Sequence, residues 1–175
     1  SYAAPGIDNV SGVDTDGGLV TIRGSSFGLT GATVRIGGAV CEGVVYVVPH
    51  SVIACRVGGS DGPRGFLNVT VDLNGAQGRG SFSYAPPRIF TVSSVGTAGG
   101  NVTIRGASFG GIRDVTIGGR PCVLRESTHG EVVCWVGSGV GGGHGVVVRT
   151  PHGEGRGVFS YAPPSITSVS SVGTA

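Results

Sequence analysis

Residues 99–110 read GGNVTIRGASFG, and residues 17–28 read GGLVTIRGSSFG. The same landmarks surround both stretches in the same order. A Tyr-Ala opening that ends in proline precedes each stretch, and an Ile-Gly-Gly turn, two cysteines, a valine-rich run and a closing Phe-Ser-Tyr-Ala-Pro follow it. Repetition over this length indicates a tandem array of similar domains. The chain therefore divides into repeat 1, residues 1–84, and repeat 2, residues 85–161.

The end of the chain starts the same pattern again. Residues 161–175 match residues 84–98 at all but three positions, which predicts that residues 162–175 are the opening strand of a third, truncated repeat. A single strand cannot bury its apolar face alone. We therefore expect the array to continue in the next covalent segment or through a neighbouring copy that adds a strand head to tail. With strands of about 7 residues and their end loops, each repeat should advance roughly 35 to 45 Å.

The signature stretch alternates apolar and polar residues. In residues 101–105, Val102 and Ile104 point one way and the polar side chains the other, which is the period of a strand with one buried face. Gly24 and Gly106 are predicted to end the two signature strands.

The rest of each repeat consists of short alternating runs. Residues 34–36 and 115–117 each stop at a Gly-Gly pair, which tolerates the positive φ angles of a tight turn. No segment has the i, i+3, i+4 spacing of a helix. Six or seven short strands with glycine turns predict an all-β protein of tandem β-sandwiches.

The four cysteines occur as one pair per repeat, at the same landmark: Cys41 with Cys55, and Cys122 with Cys134. A disulfide within each repeat is the economical interpretation, with free thiols or metal ligands as the alternatives. Disulfides imply an oxidising, extracellular compartment. A metal site would need closer spacing and partner histidines, so neither a metal nor another cofactor is expected. The histidines, which we expect not to recur in register, are His50, His129, His144 and His152.

The composition excludes several classes of function. Charged residues make up only 13% of the chain and the net charge is +2, so there is no basic patch for nucleic acid. No apolar run is long enough to span a bilayer. Ser51 beside His50 has no acid positioned with it, so we do not expect an enzyme. Asp14 and Asp16 predict a turn, because a calcium site needs more oxygen ligands than lie nearby.

Three sequons predict covalent glycans, at Asn9, Asn68 and Asn101. Asn68 and Asn101 fall on the outward phase of their strands, where an acceptor must lie. Trp135, the only tryptophan, also points outward. It is either a platform for sugar or a neighbouring chain, or a side chain half covered by its own loop.

Proline pairs mark the junctions between repeats. Proline fixes φ and cannot donate to a β-ladder, so the connections are expected to be short and stiff, with the next repeat starting at Ile89 or Ile166. The same prolines are alternative sites for hydroxyproline glycans. They are Pro86, Pro87, Pro163 and Pro164.

The order GG(x)VTIRG(x)SFG, IGG(x)xC, a second cysteine and F(S)YAPP resembles the IPT/TIG domain, the immunoglobulin-like domain of plexins and some transcription factors. The resemblance covers both repeats and the third stub. It implies early set immunoglobulin-like sandwiches, an extracellular location for copies with paired cysteines, and no catalytic motif. Members that bind DNA do so through an additional domain and basic loops, which are not visible in this sequence.

Three functions compete at this stage. The first is a structural component of an extracellular, glycosylated fibre or surface appendage, whose partners are neighbouring copies of itself. The second is the ligand-binding or adhesion ectodomain of a plexin-like receptor. The third is a carbohydrate-binding accessory region of a secreted enzyme. The near identity of the junctions favours the first, because receptor ectodomains usually vary their modules.

Overall fold

The computed structural model describes residues 3–62 and 65–168. Tyr2, in the opening of repeat 1, and residues 169–175, most of the expected third-repeat strand, lie outside the described residues. Residues 162–168 are described and carry no strand.

All regular structure in the described part of the chain is β-strand. The strands of repeat 1 are β1 (Gly6–Val10), β2 (Gly18–Ser25), β3 (Thr33–Ile36), β4 (Ala39–Val40), β5 (Glu42–Val48), β6 (Val52–Val57), β7 (Leu67–Leu73) and β8 (Ala76–Phe82). Those of repeat 2 are β9 (Arg88–Val92), β10 (Gly100–Ala107), β11 (Asp114–Ile117), β12 (Arg120–Pro121), β13 (Val123–Ser127), β14 (Glu131–Val136), β15 (His144–Thr150) and β16 (Gly153–Phe159). The expectation of six or seven strands per repeat misses β4 and β12, which are too short to produce a pattern.

Each repeat is a sandwich of two antiparallel four-stranded sheets. The orders are β1-β2-β6-β5 and β4-β3-β7-β8 in repeat 1, and β9-β10-β14-β13 and β12-β11-β15-β16 in repeat 2. A parallel bridge from Val13 to Tyr84, repeated from Val95 to Tyr161, links the opening segment to the closing one. Two such sheets, with the fifth strand beside the sixth and the fourth beside the third, have the strand order of an immunoglobulin-like sandwich.

The two cores are separate and equivalent. The inward-facing apolar residues of the signature strands are fully buried, as the alternation predicts, and a phenylalanine from the loop and one from the last strand fill the centre of each sandwich. These core side chains are Val20, Ile22, Phe27 and Phe82 in repeat 1, and Val102, Ile104, Phe109 and Phe159 in repeat 2.

Gly24 and Gly106 lie inside the signature strands rather than ending them, so that part of the prediction is wrong. The strands continue to Ser25 and Ala107. A Cβ at Gly106 would collide with the carbonyl oxygen of Arg88 and with the ring of Phe109. Glycine is needed here because β9, the first strand of the repeat, pairs with the signature strand at a β-bulge and the core phenylalanine packs against the same position.

The cysteines are paired within each repeat. Cys41 is bonded to Cys55 and Cys122 to Cys134, with Cα atoms 5.6 and 5.4 Å apart. Each bond links the segment after the two-residue strand to the core side of the sixth strand of the repeat. It therefore lies elsewhere than the inter-sheet disulfide of antibody domains.

The histidines correct the sequence interpretation in one respect. The carbonyl oxygen of His50 accepts a hydrogen bond from the amide of Phe27 at 3.0 Å, and that of His129 accepts one from Phe109 at 2.9 Å. His50 and His129 are therefore equivalent, contrary to the expectation that no histidine recurs in register. The sequence shows this equivalence, because each histidine precedes the second cysteine of its repeat by the same number of residues.

Candidate functional site

The two repeats meet through a turn at the start of repeat 1. The amide of Gly17 donates to the carbonyl oxygen of Asp14 at 2.9 Å, which closes the turn expected for this segment. The Asp14 carboxylate reaches into repeat 2, where it accepts a hydrogen bond from Ser108 Oγ at 2.8 Å and lies 3.5 Å from Nη2 of Arg88. An acidic side chain of one repeat thus engages a hydroxyl and a guanidinium of the next.

Thr15 is the buried centre of this contact, with none of its surface exposed. Its hydroxyl accepts a hydrogen bond from the amide of Gly110 at 3.0 Å and lies 3.0 Å from Nδ1 of His129. The other ring nitrogen of His129 is 3.7 Å from the carboxylate of Asp61 in repeat 1. Buried polar groups normally have partners, and at this contact the partners come from the other repeat.

Two glycines let the backbones approach. A Cβ at Gly110 would lie 2.6 Å from the carbonyl oxygen of Ser60, and one at Gly111 would lie 2.5 Å from that of Asp61. Gly111 also has a φ of 66°. Because any side chain would force the repeats apart, these positions require glycine.

A second contact lies beside the proline junction. The ring of His152 in repeat 2 meets the ring of Tyr84 edge-on, with centroids 5.4 Å apart, while the Tyr84 hydroxyl donates to the carbonyl oxygen of Gly58 at 2.7 Å. Burial lowers the pKa of His152 below its ordinary value, and the carboxylate of Asp61 acts in the opposite direction. Burial also raises the pKa of Tyr84. Nε2 of His152 is buried with no hydrogen-bond partner among the described residues, so the neutral imidazole is favoured.

The connection itself is two residues long. The amide of Ala85 donates to the carbonyl oxygen of Val13 at 2.8 Å, which ties the end of repeat 1 to its own sandwich. Strand β9 begins at Arg88, one residue before the expected start. Only Pro86 and Pro87 lie between these anchors, and proline has a fixed φ.

We call these two contacts and the proline pair the joint. Equivalent positions elsewhere in the chain show how much it buries. Thr15 is buried, whereas Thr97, its counterpart in repeat 2, is exposed; Ser108 is buried, whereas its counterpart Ser26 is half-buried. The added burial follows from the contact between the repeats, since the sandwiches are otherwise alike.

The ionic part of the joint is not repeated at the next junction. Gly96 occupies the position of Asp14 in repeat 2, and Ser165 the position of Arg88 after the second proline pair. Acid and base are present together at the first junction and absent together at the second. The joint therefore contains a charge pair particular to these two repeats.

The predicted modification sites lie on the outer surface. Asn9, Asn68 and Asn101 are exposed on strands β1, β7 and β10. Trp135 is 42% exposed on β14. Sugar attachment at these asparagines, and at the proline pairs, is a prediction.

Neither a metal centre nor the Ser51–His50 pair forms a site in the described ranges. No group of three or more His, Cys, Asp or Glu side chains is placed to hold a metal ion there. Ser51 Oγ donates to the carbonyl oxygen of Pro49 at 3.4 Å instead of engaging His50. Within the same ranges, no helix has the length and apolar character needed to cross a membrane.

Sequence reasoning missed the joint. It interpreted Asp14 only as part of a turn and gave no role to Thr15 or Ser108. The available signal was the difference between VDTDGG in repeat 1 and VGTAGG in repeat 2, because a departure inside a near-identical repeat marks a position with its own environment.

Comparison with known proteins yields distant structural neighbours. The extracellular region of plexin A4 aligns with 22% identity over 93% of this chain and 18% of its own, at a TM-score of 0.44. A protein named SGBP-B, from a xyloglucan utilization locus of Bacteroides uniformis, aligns with 19% identity over 88% of this chain and 48% of its own, at a TM-score of 0.39. The surface glycan-binding protein PbSGBP-B from Prevotella bryantii aligns with 12% identity over 88% of this chain and 41% of its own, at a TM-score of 0.45. The chain spans less than half the length of each, and no curated protein sequence matched it.

The family model described as IPT/TIG domain matches this chain twice, at residues 5–85 and 87–161. The two matches coincide with the two sandwiches and stop at the proline junctions. Together with the paired sheets and the repeated signature, they show that the chain belongs to the IPT/TIG domain family, as two consecutive immunoglobulin-like sandwiches.

Proposed function

We propose that this chain is a stiff segment of an extracellular or cell-surface fibre or appendage, in which consecutive IPT/TIG repeats are held in a set orientation and carry glycans on their outer faces. The observation that carries the proposal is the joint. A flexible tether would leave Thr15 and Asp14 in water, whereas here both are satisfied by residues of the next repeat.

Three features support a structural role. The link is two prolines long, so it resists bending more than a Gly/Ser-rich linker does. The disulfides suit an oxidising compartment. The chain has few charged residues, and exposed sequons provide an alternative hydrophilic cover.

The partners in this proposal are further copies of the same kind of repeat. A head-to-tail contact that does not close into a ring propagates along one direction. The joint is of this kind, because one end of repeat 1 meets the opposite end of repeat 2.

The test is electron microscopy of native material, with image averaging along isolated particles. We expect straight, thin rods with an axial period of roughly 35 to 45 Å per repeat, or a small multiple of it. Particles that bend freely at every junction would contradict the proposal and leave the receptor ectodomain as the better interpretation.

A further inference from the structure

Repeat 2 has an exposed apolar patch on the outer face of the sheet that contains β10. In the register of this sheet, Asn101 on β10 is directly opposite Trp135 on β14, and Trp135 is directly opposite Val123 on β13. Trp135 is 42% exposed and Val123 51% exposed. Residues opposite each other across antiparallel strands have Cβ atoms about 4.5 to 5.5 Å apart, so the side chains of Asn101 and Trp135 leave the sheet next to each other.

The asparagine beside this patch is a glycan acceptor by sequence. Asn101, Val102 and Thr103 form a sequon. Val102 is completely buried, so Asn101 and Thr103 both belong to the outer face. The next polar position along this face is Arg105, whose Nε lies 2.8 Å from the Glu131 carboxylate.

Repeat 1 has neither the acceptor nor the platform. The same three positions across its sheet are Leu19, Arg56 and Glu42, in the same register. The acceptor, the indole and the apolar neighbour therefore occur together in one repeat and are replaced together in the other. Because the three residues are replaced together, we infer that they serve a single function.

We propose that Asn101 carries an N-linked glycan whose first sugars lie over the indole of Trp135 and cover the apolar end of this sheet face. The apolar C–H face of an N-acetylglucosamine complements an aromatic ring, while its hydroxyl groups face water. This inference rests on the proposed extracellular location, because the glycan must be added along the secretory route.

The attachment is an ordinary glycosyl transfer. Nδ2 of Asn101 attacks C1 of a lipid-diphosphate-linked oligosaccharide. The Nδ2–C1 bond forms and the C1–O bond to the diphosphate breaks. The lipid diphosphate leaves with the electron pair, and Nδ2 releases one proton to the surrounding water.

A second sequon provides the matched control. Asn68 is also exposed on a central strand, but it is directly opposite Ser81. A glycan at Asn68 therefore has no aromatic ring directly across the strand pair. Because the chain has a single tryptophan, its fluorescence reports on Trp135 alone.

The experiment uses the whole chain secreted from a eukaryotic host, together with Thr103→Val and Thr70→Val, each of which removes one sequon and keeps its asparagine. Intact mass before and after peptide N-glycosidase gives the occupancy, and acrylamide quenching gives the access to Trp135. We expect the glycan at Asn101 to lower the quenching constant roughly two-fold, because the sugar shields a large part of the 42% of Trp135 that is exposed. Thr103→Val should abolish this protection, and Thr70→Val should retain it.

Three results would overturn the inference. The first is an occupied Asn101 with Trp135 quenched equally with and without the glycan. The second is a bare Asn101 with an occupied Asn68, which would refute this site and leave the proposed extracellular, glycosylated array intact. If both were bare, this site would be refuted and the proposed glycan cover with it, while the rods expected by electron microscopy would still test the fibre itself. We also expect the glycan to raise the Tm of the parent chain, because it covers the exposed indole of Trp135. A Trp135→Arg variant, which carries the residue of repeat 1, should keep the glycan without that increase in Tm.

Discussion

At the scale of single residues, the joint depends most on Thr15, a hydroxyl buried between two domains. Replacing it with valine keeps the shape and leaves the amide of Gly110 without its acceptor. We expect Thr15→Val to lower the free energy of unfolding, measured in urea, by about 1 to 3 kcal/mol. Thr97→Val changes the exposed counterpart in repeat 2 and should stay within about 0.5 kcal/mol of the parent. If the two substitutions lowered the free energy of unfolding equally, the hydrogen bonds of Thr15 in the joint would contribute nothing to stability.

His152 should make the joint sensitive to acid. Its pKa is lowered in the folded chain, so the unfolded or opened state binds more protons as the pH falls below the ordinary value of about 6.5. The stabilisation is therefore complete above that value and is lost progressively as the pH falls toward the lowered pKa. Titration of the free energy of unfolding should show this slope in the parent chain and a flatter one in His152→Gln.

Sequence patterns were sufficient for the residues that repeat. The alternation around Val102 and Ile104 predicted a strand with one buried face, and both are fully buried. The difference between the repeats marks Asp14 as a special position, but its pairing with Ser108 was not predictable, because the two residues lie far apart in the chain and meet only after two finished domains take up a particular orientation. No local pattern records that orientation.

At the scale of elements, each signature strand needs its glycine where the neighbouring strand and a core phenylalanine approach it closely. Gly106→Ala would place a methyl group against the backbone of Arg88 and the ring of Phe109. We expect a loss of about 3 kcal/mol or more in the free energy of unfolding, the range of severe overpacking. Gly145→Ala, in β15, meets open space and should stabilise the chain by up to about 1 kcal/mol. A small change in the free energy of unfolding for Gly106→Ala would show that the neighbouring strand and the phenylalanine can move away to admit the methyl group.

The disulfides are the second requirement at this scale, because each ties the segment after the short fourth strand to the core. Their sequence separations are 14 and 12 residues, for which the loop-entropy relation gives about 3 kcal/mol each. Peptide mapping under non-reducing conditions should recover Cys41 linked to Cys55 and Cys122 linked to Cys134. Free thiols, or links between the repeats, would contradict the pairing. Replacing either pair with serines should lower the Tm of its own repeat.

The strand count illustrates what patterns miss within an element. β4 and β12 have only two residues each, so they show no period. They exist because the Gly-Gly turns at Gly37 and Gly118 return the chain onto β3 and β11. The turn was predictable from glycine chemistry, whereas the pairing that follows depends on the neighbouring strand.

At the scale of the whole molecule, two sandwiches joined by two prolines become a rod only if the joint holds one orientation. The contacts come from separate segments of each repeat: Asp14 and Thr15 belong to the first turn, whereas Tyr84 and His152 lie beside the proline junction. A single contact would permit a hinge, because the repeats could swing open about it. Several contacts from separate segments restrict that motion.

Residual dipolar couplings of backbone amides, measured on the intact chain in a weakly aligning medium, test this orientation most directly. If the joint is fixed, the couplings of repeat 1 and repeat 2 fit one alignment tensor with the same magnitude and axes. Asp14→Ala should reduce the agreement, because it removes the acceptor of Ser108 and the partner of Arg88. Asp16→Ala, an exposed change in the same turn, should not. Two tensors of clearly different magnitude in the parent chain would mean that the repeats move independently, and the proposal of a stiff array would be wrong.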